Sequence, residues 1–232
     1  MTEADWWAAR RQVELARWLR AGANPAARKS RLFALACCRA VQRYLADWPC
    51  EIYVDLVEQL ADGHITAEHV PERIDSITMG WGPSAMKWRT YRTTLDRADA
   101  ALRRAFFGTP GYDDEPLVAP QDASEALRGT HFGCEEAFIP YLHEIFGPLP
   151  FRDTTVAPAW RTTDVLALAR GVYDEKAFDR MPILADALQD AGCDNEEVLN
   201  HCRAAGWEHV RGCWVIDLLL GKPWREGDAT PS

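Results

Sequence analysis

The chain has 232 residues, 47% of them apolar, ten of them tryptophan, and a net charge of −9. It is long enough for one large domain or two small ones, and apolar enough for a packed core. Residues 1–110 carry 16 Lys/Arg against 13 Asp/Glu, while residues 111–232 carry 10 against 22; the acidic second half argues against a general affinity for nucleic acid.

The opening MTEADWWAARRQ lacks the basic-then-apolar layout of a signal peptide, and no apolar run is long enough to span a membrane. A cytoplasmic protein is expected. Cysteine usage agrees with that. Seven is an odd number, and Cys37 and Cys38 are adjacent in an apolar stretch, so buried, reduced thiols are expected rather than a disulfide framework.

Thr2 is placed to cap a first helix, with Glu3 and Asp5 in its first turn. Trp6, Ala9, Val13, Ala16 and Leu19 recur at helical spacing up to Gly22. A second helix starts after Asn24-Pro25 and carries Leu32, Phe33, Ala36, Cys37, Ala40, Val41 and Tyr44 before Pro49 stops it. Residues 51–61 read as a short helix closed by Gly63. A short capped segment runs from Thr66 to about Ser76, and the turn cluster MGWGPS follows. Ser84 to Phe107 is a long amphipathic pattern.

GTPGYDDEPLVAP, residues 108–120, has the composition of a linker. A helix is expected from Ser124 to Phe146, bent at Pro140. Helices are then expected from Thr163 through Val172, over 175–191, and over 196–204 with Asp194 or Asn195 as its cap. GCWVIDLLL, residues 212–220, reads as a buried helix ended by Gly221. The predicted fold is all-α: a compact bundle of about nine helices in two packed halves. These are a slightly basic half (1–107) and an acidic half (121–222), joined by the linker 108–120 and followed by a flexible tail (223–232).

MTEADW and RKSRLFALACCR near the start match a pattern that continues with FGPLPFR, LARGVYDEKAFDRMPILADAL, AGC, HCR and HVRGCWVIDLLLGK. Together these resemble the signatures of an uncharacterised bacterial protein family. The resemblance covers about half the chain and leaves Ile65 to Glu136 as a private middle segment. It implies bacterial, cytoplasmic origin and no particular chemistry.

The sharpest chemical group is Cys193, His201, Cys202, His209, Cys213. Zinc takes about four thiolate or imidazole ligands, and Cys193, His201, His209 and Cys213 supply that number. The spacing lacks a C-x2-C knuckle, and His201 and Cys202 diverge by about 100° on a helix. A packed core with small buried cysteines is the competing reading.

Cys134 with His131, or Cys213 with His209 and Asp217, would be nucleophile–base pairs, but neither sits in a nucleophile motif. His143-Glu144 resembles half of HExxH, with Gly147 where the second histidine belongs. Asp186, Asp190, Asp194, Glu196 and Glu197 lack the order of a calcium loop. Arg152, Asp153 and Trp160 lie in an irregular stretch able to bind or simply to pack. Asp179 with Arg180, and Asp217 with Arg211, are expected ion pairs, because a carboxylate inside WVIDLLL needs a partner. No phosphate-binding loop is present.

The leading expectation is therefore a non-enzymatic interaction or regulatory module with a protein partner and no cofactor. The alternative is a zinc-binding protein or metal-dependent enzyme built on the C-terminal Cys/His group.

Overall fold

The computed structural model describes residues 1–23, 25–42, 51–66, 136, 138–152, 154–204 and 206–225. Among these the chain forms nine α-helices and no strand. The fold is all-α, as predicted. No helix among the described residues is long and apolar enough to cross a membrane. The expected segment 66–76, the long pattern of 84–107, the linker 108–120 and the first part of the Ser124–Phe146 helix lie outside the described residues, apart from Thr66.

The first expected helix is broken in two. α1 (Glu3–Ala8) is closed at its start by a reciprocal pair of bonds. The Asp5 N–H donates to Thr2 Oγ1, and the Thr2 N–H donates to the Asp5 carboxylate. The backbone is then extended at Ala9 and Arg11 before α2 (Gln12–Trp18) begins, followed by a π-turn at Leu19–Ala23. Trp6 and Leu15 are both fully buried. Nine residues at about 100° each would leave them half a turn apart on a straight helix. The break lets both enter one core.

α3 (Ala27–Gln42) and α4 (Glu51–Ala61) pack against each other. α3 is a central helix: Leu32 through Cys38 are all buried, and so are Lys29 and Ser30 nearer its start. α5 (Ile139–Phe146) carries Pro140 in its first turn, where the ring needs no hydrogen bond, so the proline does not bend the helix in mid-course.

α6 (Thr163–Glu175) is capped by Thr162 and ends on Lys176 in the left-handed region. A short 3-10 turn at Phe178–Arg180 leads into α7 (Met181–Asp190). α8 (Glu196–Arg203) is capped by Asn195, whose carbonyl oxygen accepts from Glu197 and Val198. α9 (Trp214–Leu220) ends at Gly221, and five of its seven residues are buried. GCWVIDLLL is thus a helix, as expected.

α5 and α9 lie in the middle, with α2 and α3 packed on α5, and α6 and α8 packed on α9. Phe151, in the irregular stretch after α5, stacks on Trp18 at 4.7 Å between ring centroids. Trp224 is buried and its carbonyl accepts the Ala26 N–H at 2.8 Å, so residues 223–225, expected in the tail, are docked onto the start of α3.

Two expected ion pairs form with other partners. Asp217 is bound by Arg28 and Lys29 of α3, and not by Arg211. Arg211 reaches Glu58 and Asp62 at the end of α4. Arg180 pairs with Glu175 at 2.8 Å in place of Asp179.

Candidate metal centre

The sequence IPYLHEIF builds α5 as an apolar helix with two polar residues side by side, His143 and Glu144. They take different roles. The His143 ring bonds the Trp6 carbonyl at 3.1 Å, and burial holds its pKa below the ordinary value, so it is a neutral core histidine. Glu144 points the other way, towards α8 and the loop that follows it.

The Glu144 side chain is 0% exposed. Burial by itself would raise its carboxyl, but hydrogen bonds and charge from His201 and His209 outweigh that and bring it down to about 2. A fully buried carboxylate held ionised demands compensation. It receives the Trp207 indole N–H on Oε2 at 2.6 Å, with His209 Nδ1 3.1 Å from Oε1. His201 Nε2 lies 3.2 Å from Oε2.

His201 projects from the last turn of α8, which also buries Val198, Leu199 and Cys202. His209 and Cys213 come from the loop between α8 and α9, where Cys213 occupies the N-cap position of α9. Cys213 Sγ lies 3.2 Å from His201 Nε2. Burial, and then the charge of Glu144, push its thiol well above the ordinary range; the Ile216 N–H of α9 acts in the opposite sense and favours the thiolate.

One ligand atom from each of Glu144, His201, His209 and Cys213 falls within 4.8 Å of all the others. A tetrahedral zinc ion with bonds of about 2.0–2.3 Å places its ligand atoms about 3.3–3.8 Å apart. The largest separation among the four groups thus exceeds the longer of those spacings by about 1 Å at most. The charges fit as well. With glutamate and cysteine both ionised and both imidazoles neutral, the set carries two negative charges, and a dication neutralises it. Without a cation, burial and then the charge of Glu144 drive the Cys213 thiol up, while the two histidines hold Glu144 ionised.

Of the residues singled out in the sequence, His201, His209 and Cys213 meet here, and Cys193 does not join them. Cys193 ends the turn after α7, its N–H bonded to the Leu188 carbonyl, and burial raises its pKa. Cys202 turns from the cluster into the core, as adjacency to His201 requires, and its thiol is pushed up to about 12. The fourth group is Glu144, whose neighbour His143 had drawn attention for a different motif. Its signal was present in the sequence: a carboxylate inside an apolar helix, the same reasoning applied to Asp217.

Nucleophilic catalysis does not fit this geometry. A triad needs the acid on one imidazole nitrogen and the nucleophile on the other. Of the expected Cys213, His209 and Asp217, the acid is taken by Arg28 and Lys29, and His209 Nδ1 lies against Glu144. At His201, Glu144 and Cys213 face the same nitrogen, while Nδ1 accepts the Trp214 indole N–H at 3.2 Å. The Cys134–His131 pair lies outside the described residues. The acidic residues of 186–197 do not gather either: Asp186 pairs with Arg203, and Glu197 with Arg152, which also reaches Glu3.

Compared with known proteins, the chain matches no family model, no curated protein and no solved structure, so its functional reading rests on this geometry.

Proposed function

We propose that this protein is a non-enzymatic cytoplasmic module whose helical core is closed by a structural zinc ion, held by Glu144, His201, His209 and Cys213. The observation that carries this reading is the convergence of four donors from α5, α8 and the α8–α9 loop in a largely buried place, with a charge that a dication balances. The side chains of Glu144, His201 and His209 are 0%, 12% and 6% exposed, and Cys213 is buried. Four protein groups are the number that closes a structural zinc site, so a tetrahedral ion held by all of them would have no open position for substrate.

One indole supports a ligand from outside: Trp207 donates to Glu144, the kind of neighbour that orients ligands and tunes affinity. Trp214 donates to His201 Nδ1, a bond made by the metal-free imidazole with its proton on Nε2. With zinc held on Nε2, His201 would carry its proton on Nδ1. The Trp214–His201 hydrogen bond would then be lost.

The test is elemental analysis of the purified protein together with zinc titration of chelated protein, followed by tryptophan emission and melting temperature. One equivalent of zinc per chain is expected, with a change in emission as Trp214 and Trp207 adjust. Zinc at 1,000 times its Kd should stabilise the fold by about 4 kcal/mol. Cys213→Ala and Glu144→Gln should each abolish the tight equivalent. A chain that takes up no zinc, with a melting temperature indifferent to chelator, would falsify the reading.

A further inference from the structure

Lys29 is an unusual residue for the middle of a core. Its side chain is 0% exposed, and burial pushes its ammonium pKa down against the pull of Asp217. All three of its protons are used. Nζ donates to the Ile145 carbonyl at 2.7 Å and to the Gly212 carbonyl at 2.8 Å, and it contacts Asp217 Oδ2 at 2.7 Å. An ammonium offers three donors and no more.

The identity of those two carbonyls is the informative point. Ile145 follows Glu144 and Gly212 precedes Cys213. One side chain from α3 therefore ties together the backbone beside both anionic ligands of the candidate centre, which come from separate elements. The rest of the loop is pinned to the same side. Gly212, at φ +96°, packs so closely that an added Cβ would lie 3.0 Å from Leu32 of α3. Arg211 binds Glu58 and Asp62 and lies over the Tyr173 ring at 4.4 Å.

We propose that Lys29 is a positioning residue of the metal centre, setting the separation of Glu144 and Cys213 and linking metal affinity to the docking of α3. This rests on the zinc reading above and adds to it the group that builds the site from the other side of the core. Groups that hydrogen-bond metal ligands commonly govern affinity by about 10–100-fold, and Lys29 acts one step further out, through the backbone of the neighbouring residues. Linkage is reciprocal: if docked α3 tightens the metal site, bound metal tightens the docking of α3.

The experiment compares full-length wild type and Lys29→Met by chelator competition with zinc and by the spectrum of the cobalt(II) form. Methionine matches the length of the stem and leaves Asp217 paired with Arg28. The variant should bind zinc about 10–100-fold more weakly and show an altered thiolate-to-cobalt absorption. Stability in chelator is measured separately, since a purely structural lysine would lower that value and leave affinity and spectrum alone. Wild-type affinity and spectrum in folded Lys29→Met overturn the positioning role while the zinc reading stands. Failure of the wild type to bind either metal overturns both.

Amide hydrogen exchange on the wild type gives an answer even if Lys29→Met does not fold. Stripping the metal should lower protection in the first turns of α3 as well as around the ligands. A loss confined to residues 138–147 and 196–221 overturns the proposal.

Discussion

Among the described glycines, Gly147 makes the closest approach, against the ring of Trp214. The glycine ends α5 at φ +51° and ψ −136°, a conformation closed to other residues. A Cβ built on it would lie 2.6 Å from Trp214 Cγ and Cδ1. Trp214 is buried to 1% and cannot swing into solvent. Gly147→Ala therefore carries two costs, about 1–3 kcal/mol for the backbone conformation and about 1–3 kcal/mol for overpacking, or about 2–6 kcal/mol together.

Gly192 supplies the control. It too has positive φ, +85°, but an added Cβ meets nothing within 4 Å, so Gly192→Ala should cost only about 1–2 kcal/mol. Urea unfolding of both variants in excess chelator reads the difference as a shift of midpoint at constant slope. Chelator removes any contribution from metal linkage. Because the displaced ring packs against His201 at 5.2 Å between centroids, Gly147→Ala should change zinc affinity, whereas Gly192→Ala should not. Equal losses in the two variants would refute the packing argument.

The Asp217 network gives a pH prediction. Burial would raise this carboxyl, but Arg28 and Lys29 bring it below the ordinary 3.8, to about 2. A depressed folded pKa contributes stability that is present above about pH 4 and is lost as pH falls towards 2. The loss is about 2 kcal/mol for a shift of this size. Glu144 titrates in the same window in metal-free protein, so Asp217→Asn should make the acid limb of the stability profile shallower without removing it; an unchanged slope would count against the ion pairs. Cysteine state gives a third expectation. The five described cysteines are free and buried, so they should react slowly in native protein. In denaturant with chelator and no reductant, thiol titration should count nearly all seven. Three disulfides would reverse the reading of the compartment.

Helix type and several boundaries were legible along the chain because they are local. The Thr2 cap, the α4 pattern closed by Gly63, the Asn195 cap and the buried run ended by Gly221 each depend on residues within a few positions of one another. Cys202 was separable from His201 for the same reason: adjacent residues on a helix point apart. Tertiary structure decided the rest. Trp6 and Leu15 both enter the core only through a break that no propensity marks. The need of Asp217 for a partner was readable from WVIDLLL, but the partner, Arg28, lies 189 positions away and was taken to be Arg211. Glu144 reaches His209 across 65 residues, and Cys193, nearer in sequence to His201, stays outside the cluster. Spacing reports which side chains share a helix face, whereas a metal centre is a meeting of faces from different helices, and packing alone determines which donors arrive there.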